Sequence, residues 1–212
     1  MNLLCIDTSE GTQVALVGPG GVRRAGDPDS RAHAEHLARL LAEVVDDQRV
    51  EGVVVGTGPA PFTGLRVGLV TAQVFALARR LPVHGVPSLA VRARQSLDAV
   101  GAARVTVVTD ARRREVYSGT FAPAGPDDVR LEDEFTVAYP GDVVVPEDSV
   151  LVGPGTQLYP EALAGTDLPL DIAVAARLVR ARLAAGVPMP TTPLYLRRPD
   201  VHLPGGRKRA TH

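Results

Sequence analysis

Short continuous apolar runs alternate along the chain with longer stretches whose apolar residues recur at helical spacing. Residues 3–6 (Leu-Leu-Cys-Ile) form one run, residues 7–11 supply turn chemistry, and residues 14–17 form a second run; together they predict a β-hairpin. In the next stretch Leu37, Leu40, Leu41, Val44 and Val45 fall on one helical face, with Asp29 or Ser30 placed to cap it. "VEGVVVGTG" reads as a buried strand. "GTGPAPFTGLRVGLVTAQVFALA" follows as a glycine-rich turn and an apolar helix ending near Arg80, before Pro82. A short strand at "PVHGV" and a helix from Ser88 to about Val100 close the first half.

The second half opens with the same unit. "RVTVVTDARRREVYSGTF" is again strand, aspartate, polar turn and strand, with Asp110 in the place of Asp7. This is a weak internal repeat in element order, not in residue identity. After it come a Pro/Gly/Asp-rich stretch, the strand "SVLV" running into a glycine turn, and a helix capped by Asp171 and stopped by Gly186. Strands alternating with helices predict an α/β protein. The repeated unit matches in pattern a two-lobed fold of the actin/ribonuclease-H type, with lobes expected at 1–102 and 103–212.

Composition narrows the chemistry. The chain has 212 residues, 45% of them hydrophobic, enough to bury a substantial core. Its formal charge of -1 gives no global attraction to nucleic acid or acidic lipid. No stretch approaches the ~20 apolar residues of a membrane span, and residues 1–7 do not read as a signal, so a cytoplasmic protein is expected. The single cysteine, Cys5, excludes an intrachain disulfide. Lys208 is the only lysine; a P-loop, a kinase strand lysine or a Schiff base therefore has no residue to use outside the tail.

The glycine turn is a poor phosphate loop. Gly56 and Gly58 begin a G-x-G-x-x-G pattern, but Pro61 stands where its third glycine belongs, and Pro59 and Pro61 remove two backbone donors. A rigid strand-to-helix turn is the better reading. In the helix, Gly64, Gly68, Ala72 and Ala76 fall at spacing four, flanked by Leu65 and, further along, Phe75. Interior glycine costs a helix about 1 kcal/mol against alanine, so such a stripe implies a close backbone approach. The helix is apolar nearly all round, so burial on more than one side is expected: against its own sheet, and against another helix of this chain or of a partner.

Other residues leave their readings open. His33 and His36 are three apart, unlike helical zinc pairs at spacing four, and no metal is expected. Asp7, Thr8 and Ser9 suit either Mg²⁺ and phosphate or a turn bonded to its own backbone. Arg112, Arg113 and Arg114 crowd the second hairpin turn, as a solvated tip or an RNA contact. The tail from residue 193 carries Arg197, Arg198, Arg207, Lys208 and Arg209 against Asp200. No nucleophile–base pair of a peptidase is evident.

"LLCIDTS", "GTGPAPFTGLRVGLVTAQVFALA", "VHGVPSLAV", "VTDARRREVYSG", "LVGPG" and "PLYLRRP" occur in the order found in the bacterial TsaB (YeaZ) family, which the chain resembles over nearly its whole length. That resemblance implies a two-lobed actin-like (ASKHA) fold with a reduced second lobe. It implies an accessory role, without cofactor, in making N6-threonylcarbamoyladenosine in tRNA: a non-catalytic partner of the transferase TsaD, joined by the ATPase TsaE, with tRNA met indirectly. Two helices of the first lobe would meet TsaD, or a second copy of the chain. The expected interface is His33, His36, Arg39, Gly64, Leu65, Gly68, Ala72, Phe75 and Ala76. Ala60 and Pro61 depart from the family's usual Gly-Ser in the turn, and Arg114 stands where the family's D-A-R-x-G-E-V-Y has glycine. The contrasting expectation is a small ASKHA ATPase or kinase built on Asp7, Thr8 and Asp110, with Ser9 in the same vestigial nucleotide site.

Overall fold

A computed structural model describes residues 1–29 and 33–197, with His33 and Ala34 described by their backbone alone. Ser30, the alternative cap of the first helix, lies outside the described residues. The first sheet is built from β1 (Leu3–Asp7), β2 (Thr12–Gly18), β3 (Gly21–Asp27), β4 (Gly52–Gly56) and β5 (Val83–Val86), in the order β3-β2-β1-β4-β5. β1 pairs antiparallel with β2 and parallel with β4. β1 is buried throughout, which explains its unbroken apolar run: both faces of the sheet are covered. Leu4 and Ile6 face a layer made by α1 (His33–Val45) and α2 (Phe62–Arg79), while Leu3 and Cys5 face the opposite core.

The second sheet repeats the first. β6 (Arg104–Asp110) pairs antiparallel with β7 (Val116–Ala124) and parallel with β10 (Ser149–Val152), as β1 does with β2 and β4. Asp7 and Asp110 are the last residues of β1 and β6, so the repeat read from element order is a repeat in space. β8 (Asp128–Leu131) and β9 (Thr136–Ala138) both pair with β7. These two and β3 carry no apolar run of their own, and the periodicity gave no sign of them.

One core joins the two sheets. α3 (Ser88–Val100) packs on the second sheet and α5 (Ala175–Ala184) on the first, and Leu3, Cys5, Val86, Leu89, Val107, Phe121 and Leu178 belong to a single apolar cluster. A short helix, α4 (Gly155–Leu158), follows β10. The carboxylate of Asp171 accepts the Ala173 amide at 3.0 Å, capping the turn that leads into α5 as the sequence suggested. Ser88 does not cap α3; Pro87 precedes the helix, and the serine hydroxyl is used elsewhere.

Candidate functional site: the α2 face and the cleft between the sheets

α2 is 18 residues long, about 27 Å. Its small-residue stripe faces inward. Gly64, Leu65, Gly68, Leu69, Ala72 and Ala76 are all buried within the chain. Thr8 at the end of β1 donates its hydroxyl to the Gly64 carbonyl at 2.8 Å, and its side chain fills the space that a Cβ on Gly68 would need. Gly64, Leu65, Gly68, Ala72 and Ala76 therefore serve close packing of α2 on its own sheet and are not presented to a partner, contrary to the expected interface. The opposite face is the open one. Val70 is 57% exposed, Val74 59% and Leu77 80%, at spacings of four and three along one stripe. Pattern alone showed that two sides of α2 were apolar, and only the packing decides which side is spent internally.

The α1 part of the expected interface is turned toward β3. His36 and Arg39 on α1 approach Asp27 at the end of β3, His36 Nδ1 at 3.1 Å and Arg39 at 3.6 Å, and Arg39 also pairs with Glu43. Phe75 is half-buried, with the Arg79 guanidinium 4.5 Å above its ring. The side chain of His33 lies outside the described residues.

The carboxyl ends of β1 and β6 meet in a cleft of about 320 Å³ lined by Thr8, Ser9 and Asp110 of the nucleotide reading, while Asp7, its fourth residue, is buried behind the lining. Their bonds are local. One Asp7 oxygen accepts the Ser9 amide at 2.7 Å and also the Ser9 hydroxyl. The other accepts the Ser88 hydroxyl at 2.6 Å. Asp7 is 2% exposed and lies where a Cβ on Gly56 would have to go, so it fastens the turn to α3. Asp110 accepts the Arg112 amide at 2.7 Å and is 3.3 Å from the same guanidinium, an Asx turn. Arg112, Arg113 and Arg114 all have positive φ, so the departure from the family's glycine is absorbed in three left-handed residues. Pro59, Pro61 and Pro154 line the cleft and offer no backbone donor. These side chains are spent on turns and packing, and the arrangement fits a fixed joint better than a nucleotide site.

A second fastener was not visible in the sequence. Arg92, 3% exposed on α3, pairs with Glu10 from the first hairpin turn, with Asp167 at 2.8 Å and with the Leu168 carbonyl at 2.6 Å. Burial pushes the Glu10 carboxyl up, against the opposing pull of Arg92. Gln95 accepts the Asp171 amide at 2.9 Å and donates to the Pro169 carbonyl at 2.7 Å. Residues 167–171 are thus stitched to α3.

The paired sheets, with matching aspartates at the ends of β1 and β6, define a two-lobed α/β protein of the actin-like class. A family model described as "TsaD: tRNA N6-adenosine threonylcarbamoyltransferase" matches residues 27–166. An uncharacterised protein of Mycobacterium tuberculosis (strain H37Rv) is 40% identical over 185 residues, 81% of this chain and 78% of that one. A Mycobacterium leprae protein is also 40% identical, but the chain spans only 46% of its length. The tRNA threonylcarbamoyladenosine biosynthesis protein TsaB of Escherichia coli is 33% identical over 123 residues, 55% of this chain and 53% of that one. Among solved structures, YeaZ from Pseudomonas aeruginosa superposes with a TM-score of 0.79 at 29% identity, covering 92% of this chain and 99% of that one. A second structure from that organism, described as similar to peptidase YEAZ, gives 0.80. The chain belongs to this TsaD-type family, in the branch that holds the TsaB (YeaZ) proteins.

Proposed function

We propose that this chain is the accessory, non-catalytic subunit of a tRNA N6-threonylcarbamoyladenosine transferase complex in the cytoplasm, and that it holds a TsaD-type catalytic subunit through the outer face of α2. The observation that carries the reading is the row Val70, Val74 and Leu77, left open on a helix whose inner stripe is already packed. Exposed apolar residues in a row on a rigid helix suit a helix-to-helix contact. The same face would support self-association when the partner is absent. A TsaE-type ATPase and the tRNA would then be met by the assembled complex, and the cleft would serve as a joint holding α2 in position. No helix among the described residues is long and apolar enough to cross a membrane, in keeping with this assignment.

The test is co-migration of the chain with the TsaD-type subunit of its own organism in size-exclusion chromatography with light scattering. A one-to-one complex is expected for the unaltered chain, and its loss for Leu77→Glu with an unchanged melting temperature. Failure of the unaltered chain to co-migrate would sink the reading.

A further inference from the structure

We infer that residues 191–195 form a latch across the outer face of α2, which the docking partner must lift. The inference rests on the α2 reading above and goes beyond it: in the free chain the docking face is partly covered by the chain's own C-terminal segment.

After α5 the chain runs extended beside the first sheet. At one end it is anchored by the Gly85 amide, which donates to the Met189 carbonyl at 3.0 Å, and by Pro190, whose carbonyl occupies the space that a Cβ on Gly85 would need. At the other end Leu196 tucks against the core between the sheets, and Arg197 pairs with Glu115 beside the second hairpin turn. The bow between these anchors crosses α2. Tyr195 stacks on Phe62 with ring centroids 4.5 Å apart, and its hydroxyl accepts from Arg66 Nε at 2.9 Å. The Arg66 guanidinium lies 5.4 Å from the Phe62 ring centre and 5.6 Å from that of Tyr195. Thr191 accepts from Gln73 at 3.2 Å.

The register of these contacts decides what the bow does. Phe62, Arg66, Val70, Val74 and Leu77 follow one another at spacings of four and three, and Gln73 lies three after Val70 and four before Leu77, so they form one continuous stripe of α2. The bow half-buries Phe62, holds the exposed side chains of Arg66 and Gln73 by hydrogen bonds, and leaves Val70, Val74 and Leu77 open. With the bow lifted, Phe62 and the freed side chains of Arg66 and Gln73 would join Val70, Val74 and Leu77, and the docking face would extend from Phe62 to Leu77, nearly the whole helix.

The bow is also the weakly held part of the segment. Its main-chain tie to the body of the protein is the Leu194 amide on the Thr57 carbonyl at 2.9 Å. Pro193 has no amide to offer, and Tyr195 is 40% exposed. A segment held by few bonds between firm anchors opens locally at low cost. The anchors would keep it close by, so that it returns when the partner leaves.

Hydrogen exchange read by mass spectrometry, on the full chain alone and in complex with the TsaD-type subunit of its organism, tests this together with the affinity of Tyr195→Ala. The expected result is at least tenfold faster exchange at Leu194 in the complex than in the free chain, and several-fold tighter binding by Tyr195→Ala. If the complex forms and is lost in Leu77→Glu, but Leu194 stays protected or Tyr195→Ala binds more weakly, the bow is a fixed part of the surface; the latch is then overturned while the docking face stands. If neither the unaltered chain nor Tyr195→Ala forms a complex, the docking face is wrong and the latch falls with it.

Discussion

Thr8 and Gly68 share one small space: the threonine hydroxyl bonds to the Gly64 carbonyl one turn earlier, and its side chain lies where a Cβ on Gly68 would be. This contact sets how closely α2 can approach β1. Gly68→Ala should therefore destabilise the fold by about 1–3 kcal/mol through overpacking, although alanine is the better helix former by about 1 kcal/mol. Thr8→Ala in the same chain should recover part of that loss. Thermal melts of the two single variants and the double variant measure the coupling. Additive losses would mean that the two residues do not compete for the space.

The same contact shows what the sequence could reveal about α2 and what it could not. The four-residue spacing of Gly64, Gly68, Ala72 and Ala76 correctly predicted a close approach. It did not say to what, because a stripe of small residues fits the chain's own sheet as well as another protein's helix. The repeat of strand, aspartate, turn and strand was legible because β1 and β6 are covered on both faces, so that β1 reads as an unbroken apolar run and β6 as a valine run broken only by threonines. β3 was missed for the converse reason: it is an edge strand, largely exposed, whose Arg23 and Arg24 carry no apolar alternation. Arg92 was missed because an arginine in a helical stretch reads as solvated until the partners that bury it, Glu10 and Asp167, are known.

Arg92 supplies a second prediction. Arg92→Met should cost about 3 kcal/mol, since it removes one member of a buried ionic cluster and strands two carboxylates; their partial exposure keeps the loss at the low end of the usual range. Arg92→Lys should rescue little, because one ammonium cannot reproduce the forked contacts to Glu10, Asp167 and the Leu168 carbonyl. Urea unfolding of the three proteins gives the comparison, and full rescue by lysine would show that charge alone matters.

Cys5 offers a probe of global opening. It is fully buried in the core between the sheets, and burial pushes its thiol up to about 12, against a smaller pull from Arg180. Alkylation by iodoacetamide at pH 8 should be negligible in the native chain and rapid in denaturant. The native labelling rate should then follow the opening equilibrium as urea rises. Rapid labelling without urea would mean that this core opens locally.

Asp171 predicts how stability depends on acid. Its side chain caps the turn before α5 and meets Arg24 of β3 through paired bonds of 3.0 and 2.9 Å, tying the first sheet to the segment that follows residue 167. Burial pushes its carboxyl up, but the Arg24 hydrogen bonds, the Ala173 amide and the Arg24 charge outweigh it and hold the group below its ordinary 3.8. A carboxyl lowered by folding stabilises fully above its unfolded value, and that stabilisation is lost as pH falls through the folded one. Asp171→Asn should thus cost about 1 kcal/mol at pH 7, with the exposure of Arg24 limiting the effect. The gap between the two proteins should narrow as pH is taken below 3.8. Unfolding free energies measured from pH 7 down to pH 3 test the sign: a gap that widens in acid would mean that Arg24 does not control this carboxyl.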